Sequence, residues 1–252
     1  MLGSETRARR KRVNVFKMLS DKFEREIMKF TSVISIVICI IILNFAGVTY
    51  ARRATITILY DNYTDRSGLI SSNGFSCLIK GTEKTVLFDT GGDGKILLNN
   101  IKQLKVVPKN IDVAVISHEH DDHTGGLLSF LSFNDDISIY LPSILPDGLS
   151  QQIASYDSKI HLVSKPFKIC KGLYSTGVMG NGLKEQTLIL NSKRGLILIT
   201  GCAHPGIINV IEKAMRIFKK RVLFVFGGFH LKGKSDDAIK NVIGKLKVKY
   251  FT

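Results

Sequence analysis

The stretch that decides the fold is "ISHEHDDHTGG", Ile116 to Gly126. Three histidines and three acids fall within the six residues from His118 to His123, in a chain of 252 residues with only six histidines. A solvated turn has use for acids but no reason to gather half of the imidazoles. A helix N-terminus favours acids through its dipole, which accounts for Asp121 or Asp122 and leaves the histidines unexplained. Imidazole and carboxylate together form a ligand set for zinc, and also for iron or manganese. His118 and His120, two apart in a turn, can aim at one ion. Asp122 and His123 can reach a second. Gly125 and Gly126 let the backbone leave a crowded site.

On the N-terminal side the stretch grows out of "IDVAVISH" (111–118), an apolar run that reads as a strand. Short β-rich runs precede it: "ATITILY" (54–60), "GFSCLIKG" (74–81) and "KTVLFDTGG" (84–92), then a helical "GKILLNNIKQL" (94–104). After it come "GGLLSFLS", the strands "ISIYLP" (137–142) and "KIHLVS" (159–164), and a hairpin of "QTLIL" and "GLILITG" around Asn191–Arg194. "GIINVIEKAMRIFKK" (206–220) has apolar residues at helical spacing, and "RVLFVFGG" reads as a buried strand from its continuous apolar run. "SDDAIKNVIGKLK" reads as a helix with Ser235 at its N-cap. This order predicts an α/β domain of mixed sheets flanked by helices. Four of the strands end on polar groups: Asp89, His118, Cys202 with His204, and Gly227-Gly228 with His230. Open α/β sheets place their sites at such ends, so one shared pocket is expected. His161, alone in its strand, reads as structural.

The N-terminus is an appendage. Phe30 to Ala51 runs 22 residues without a charge, about the length that spans a bilayer as a helix. "RARRKR" (7–12) and four further cations precede it, and only Arg52 and Arg53 follow closely. The positive-inside rule then predicts a cytoplasmic N-terminal segment (1–29), a signal anchor over 30–51 and a domain outside (54–252). A signal peptide cleaved after Thr49-Tyr50-Ala51 is the alternative, with a secreted product. The net charge of +15 divides accordingly: residues 1–53 hold 11 Lys/Arg against 4 Asp/Glu, or +7, and the remainder holds 25 against 17, or +8. The first half is a topology signal and a contact for anionic lipid. The second is spread out with few aromatics between, so nucleic acid is not an expected partner. With four scattered cysteines and no C-x-x-C pair, neither a thiolate zinc knuckle nor a dense disulfide framework is indicated.

H-x-H-x-D-H at the end of an apolar strand, followed by T-G-G, resembles the metallo-β-lactamase superfamily. "LFDTGG", with Asp89, resembles its first motif. "TGCAHPGI", "GGFHL", "GFSCLIKG" and "KEQTLIL" are similar to a subgroup of metal-dependent hydrolases typified by archaeal dihydropterin–ribofuranosylaminobenzene phosphate synthase. The resemblance covers residues 54–252 and implies an αββα sandwich with one or two metals at the strand ends. It implies that Asp89 orients a metal-binding histidine, that Cys202 stands where many relatives carry a bridging aspartate, and that His204 is the next ligand. The alternative for Cys202 is a small buried hydrophobe. His230 is either a ligand or a contact for substrate.

These readings predict a hydrolase. His118, His120 and His204 hold zinc or a similar ion, and Asp122 and His123, with Cys202, hold a second. Asp122 orients the attacking water or takes its proton, and His230 contacts a small anionic substrate. Phosphoesters are expected, because the resembled subgroup is associated with phosphorylated small molecules. A membrane-tethered, non-catalytic binding module and a nuclease are the alternatives. In the subgroup a final strand such as "LKVKYFT" normally runs on into a segment of pattern P-x-H-C-T-G. The sequence stops at Thr252 before it, so the expectation is a missing ligand for the second ion and about one tightly held metal.

Overall fold

The structure is a computed structural model that describes residues 54–143 and 147–249. The basic segment 1–29 and the apolar segment 30–51, with the expected membrane helix, lie outside the described residues. Among the described residues no helix is long and apolar enough to cross a membrane.

The described chain forms two mixed sheets. The first holds β1 (Thr55–Tyr60), β2 (Ser76–Lys80), β3 (Val86–Phe88), β4 (Val113–Val115), β5 (Ser138–Pro142) and β6 (Lys159–Val163), side by side in that order. Its first three strands pair antiparallel and β3 to β6 pair parallel. The second holds β7 (Phe167–Cys170), β8 (Leu173–Ser175), β9 (Leu188–Asn191), β10 (Leu196–Thr200) and β11 (Val222–Gly227), again in sequence order. Only β10 and β11 pair parallel there. The helices are α1 (Gly94–Gln103), α2 (Asp121–Thr124), α3 (Leu127–Leu131), α4 (Asp147–Ile153), α5 (Ile207–Phe218) and α6 (Asp236–Lys249).

The strand alternation builds the layers. On β3, Val86 and Phe88 turn inward, where Val113 and Val115 of β4 join them against Leu188, Leu190 and Ile199 of the second sheet. The intervening Leu87 and Ala114 turn outward onto Leu97 and Ile101 of α1 and Leu127 and Phe130 of α3. Burial on both faces explains why these strands read as unbroken apolar runs. On the far side, Ile189, Leu196 and Leu198 pack on Ile207, Val210, Ile211 and Ala214 of α5. Those four positions follow the i, i+3, i+4, i+7 spacing of one helix face. The result is the expected helix–sheet–sheet–helix sandwich. Asp93 caps α1 by accepting from the Lys95 and Ile96 amides at 2.7 and 3.1 Å. Ser235 accepts from Ala238 at the start of α6, as its sequence predicts.

Two expectations need correction. "RVLFVFGG" is not a buried strand: β11 is hydrogen-bonded only to β10 among the described residues, and Phe224 is 56% exposed. An edge strand can be as apolar as a central one, and composition does not separate them. The polar strand ends also do not come from one open sheet. Asp89 and His118 leave the first sheet at β3 and β4. Cys202, His204 and His230 leave the second at β10 and β11. The site is assembled where the two sheets meet.

Candidate metal centre

The loop after β4 carries the cluster. His118 is fully buried, and its Nδ1 lies 2.8 Å from Ser117 Oγ. Its Nε2 is buried and has no hydrogen-bond partner among the described residues. His120 precedes α2, and Asp122 and His123 lie in its first turn. His123 is also buried, with Nδ1 2.7 Å from Asp89 Oδ2 and Nε2 3.2 Å from Cys202 Sγ. Asp122 Oδ2 lies 3.6 Å from His123 Nε2 and accepts from Asn73 at 3.2 Å. Gly125 and Gly126 matter for close approach. A Cβ on Gly125 would meet Gly92 O at 2.3 Å, and one on Gly126 would meet Thr90 O at 2.2 Å.

Asp89 organises this loop from beneath. Its fully buried carboxylate accepts from the Ser117 amide at 2.6 Å and the Ser117 hydroxyl at 2.7 Å, besides its contact with His123. Ser117, which the sequence did not single out, therefore links Asp89 to His118. Its only sequence signal is a hydroxyl placed beside a ligand-type histidine.

The second sheet supplies the facing loop. His204 brings its ring centroid to 4.8 Å from His118 and 4.9 Å from His120, and those two are 4.8 Å apart. Three imidazoles thus face one another edge to face, and His204 Nε2, like that of His118, is buried without a partner among the described residues. Cys202 is half-buried and faces His123, whereas Cys77 and Cys170 are buried in the core. Cys202 thus meets an imidazole rather than apolar atoms alone. His230 stands beside His204, ring centroids 4.3 Å apart, at the mouth. His161 stacks on Tyr140 in the first sheet, away from the cavity. Five non-glycine residues among those described have left-handed φ, and three of them, Asp89, Ala203 and His230, are here. Such strain persists where the surroundings over-determine the backbone, often at functional sites.

Glu185 holds the second loop, and sequence reasoning missed it. Its buried carboxylate accepts from three consecutive amides, Cys202 and Ala203 at 2.9 Å and His204 at 2.7 Å. Burial pushes the Glu185 carboxyl up, against the downward pull of those three bonds. The two loops touch directly at Gly201, where a Cβ would lie 2.1 Å from Ser117 Oγ.

The electrostatics suit a cation. Burial, and the neighbouring imidazoles, push His118 down to about 2, and the same causes take His204 to about 4. Both rings are therefore neutral at pH 7, and each has one nitrogen lone pair to offer. His123 behaves oppositely. Burial pulls it down, but the Asp89 charge and hydrogen bond, with help from Cys202, push it up to about 10. An ion taken at His123 must displace a proton, since ligands bind deprotonated. Three sets of side chains each bring ligand atoms within 4.8 Å of one another: His118, His120 and Asp122; His118, Cys202 and His204; Asp122, His123 and Cys202. Bare buried imidazole nitrogens beside carboxylate and thiol are the donor set of a divalent transition metal, and the residues fit one. All of them except the more deeply buried His118 line an open cavity of about 670 Å³, walled by Ile58, Phe75, Phe226 and Phe229, with the exposed His230 and Lys232 at its rim.

Similar proteins place the chain among known relatives. The chain is 28% identical over 255 aligned residues to the 7,8-dihydropterin-6-methyl-4-(beta-D-ribofuranosyl)-aminobenzene-5'-phosphate synthase of Methanocaldococcus jannaschii, covering 82% of this chain and 86% of that one. An uncharacterized protein of the same organism is 29% identical over 226 residues, covering 78% and 87%. A solved structure described as a metal-dependent hydrolase of the beta-lactamase superfamily superposes with a TM-score of 0.64 at 28% identity, over 77% of this chain and 84% of that one. The family model described as the metallo-beta-lactamase superfamily matches residues 72–212, a span that contains Asp89, the histidine loop, Glu185, Cys202 and His204. The chain belongs to the metallo-beta-lactamase superfamily.

Proposed function

We propose that the chain is a metal-dependent hydrolase that cleaves an ester or phosphoester of a small anionic substrate. The observation that carries this reading is the meeting of two unpartnered imidazole nitrogens, on His118 and His204, with His120, Asp122, His123 and Cys202 at one cavity, which all of them but the buried His118 line. His118, His120 and His204 would hold one ion, zinc or in its place iron or manganese. Asp122, His123 and Cys202 would hold a second. When bound, such an ion supplies Lewis-acid chemistry, polarising an ester oxygen and making water acidic enough to attack near neutral pH.

The chain's own groups do the rest. Asp122 reaches the cavity and would orient the attacking water or accept its proton. Asp89 keeps the His123 ring in one orientation. His230 and Lys232, at the rim, would contact an anionic group, while the phenylalanine walls accept a ring and limit water. A phosphorylated substrate is supported by the name of the archaeal relative, whose product carries pterin and aminobenzene rings and a ribofuranosyl 5'-phosphate. That name also favours a second reading, a synthase in which an acceptor other than water meets a phosphorylated substrate at the same groups.

Zinc content and turnover test the proposal. The full chain should bind zinc and hydrolyse a chromogenic phosphodiester, and Asp122→Asn should lower turnover by about 100-fold, the range for a lost acid–base group. No bound zinc would leave a binding module instead. Cleavage of a single-stranded oligonucleotide in preference to the small ester would make it a nuclease. Residues 30–51 support a signal anchor with the domain outside. A reporter fused after Ala51 should be active on the non-cytoplasmic side, and a cytoplasmic signal would sink that assignment.

A further inference from the structure

The two loops of the centre come from different sheets, and both are bonded to a pair of residues distant from them in sequence. Glu185 and Gln186, consecutive residues entering β9, reach in opposite directions. Glu185 takes the Cys202–His204 turn through three amide hydrogen bonds. Gln186 takes the end of β4: its amide donates to Ser117 O at 2.9 Å, and its Nε2 donates to Ile116 O at 2.8 Å and Tyr140 O at 3.3 Å. Its Oε1 accepts from Ser175 of β8 at 2.7 Å. Both side chains are buried, and the backbone of Glu185 is itself paired in both directions with Met179. One dipeptide therefore grips the residues just before His118 and the residues that include His204.

We infer that Glu185 and Gln186 act as one positioning clamp, which sets the spacing of His118 and His120 against Cys202 and His204 and so tunes metal affinity. This rests on the proposed metal centre. Groups outside the ligand set that orient ligands typically change affinity by about 10–100-fold when removed. A carboxylate suits the Glu185 position because all three of its partners are donors. In Glu185→Gln the volume is kept, and one oxygen can still accept from Cys202 and Ala203. The new NH2 group then faces the His204 amide, donor against donor, and the turn must shift. Gln186→Met keeps length and burial but removes every side-chain bond to β4 and β5.

The test measures the zinc dissociation constant of the full chain, by competition with a chromogenic chelator, well below the unfolding temperature. Glu185→Gln and Gln186→Met should each weaken zinc by about tenfold or more. The double variant should lose less than the product of the two factors, as residues acting through one element do. Asn134→Leu is the control. Asn134 is also a buried amide, donating to Pro108 O and Ile111 O at 2.9 and 2.8 Å, far from the cavity. It should lower the melting temperature and leave the zinc constant unchanged, which separates positioning from mere stability. If Glu185→Gln does not fold, Gln186→Met carries the same test alone. Unaltered chain that binds no zinc overturns the proposed function. Zinc binding that is equally tight in the unaltered chain and the variants overturns the clamp and leaves the function standing.

Discussion

The His118–His123 loop and the Cys202–His204 loop bring the same kind of side chain to one cavity by opposite means. The first loop is dense in sequence and is held by side chains: Asp89 and Ser117 fasten the rings of His123 and His118. The second is sparse and is held by its backbone, with Glu185 gripping three amides and no side chain of the turn. Where rings are fastened individually, each ring has its own partner and can be disturbed alone. Where a turn is gripped as a unit, everything on it moves together. The family fold places both loops at strand ends, yet the two ends are differently vulnerable.

The largest expected effect is on the first loop. His118→Ala or His120→Ala should weaken zinc by about 100-fold or more, beyond the range of groups that only orient ligands. Chelator competition measures it, and an unchanged constant in either variant would remove that residue from the centre. Next comes the support beneath the loop. Asp89→Ala takes the acceptor from two buried donors of Ser117 and from His123, so urea unfolding of ion-free protein should show a loss of about 3–5 kcal/mol. A loss under about 1 kcal/mol would mean that the first loop is no more dependent on its buried acid than a surface turn. Ser117→Ala is milder. It leaves His118 Nδ1 without its hydroxyl partner, so zinc should weaken by about tenfold, with a stability change of about 1 kcal/mol. An effect as large as that of Asp89→Ala would show that the rings are not fastened one by one. Smallest is His161→Ala, which should leave zinc content unaltered and shift stability by no more than about 0.5 kcal/mol. Lost metal there, by elemental analysis, would overturn the division of histidines between site and sheet.

The same contrast decides what a reader of the sequence can see. The first loop is local, so six adjacent residues announce its chemistry. The helices at 94–103 and 207–218 are equally legible, because a 3.6-residue period is written in their own side chains. The layers follow from strands that are apolar on both faces. Glu185 is different: its partners lie 17 to 19 residues away, and those of Gln186 reach 70 residues back. Nothing in "KEQTLIL" distinguishes a buried clamp from a solvated strand entry. Cys202 was ambiguous for a related reason, since its neighbour His123 is 79 residues earlier. The edge position of β11 is a property of the sheet, and "VLFVF" carries no mark of it. β7 and β8, four and three residues long, are too short to leave a run that can be read.

That separation of 79 residues between His123 and Cys202 has a consequence in time. Contacts between distant parts of a chain form only after the intervening segment has been ordered, and they slow folding. A ribosome that has released residues up to β6 has already made the histidine loop and its carboxylate support. It has made neither the turn that faces them nor the dipeptide that sets the gap. The half-built centre can present imidazoles but cannot enclose an ion between two sheets. An ion held by the proposed centre would therefore be captured tightly only at the last stage of synthesis, and its retention would report that the second sheet has docked.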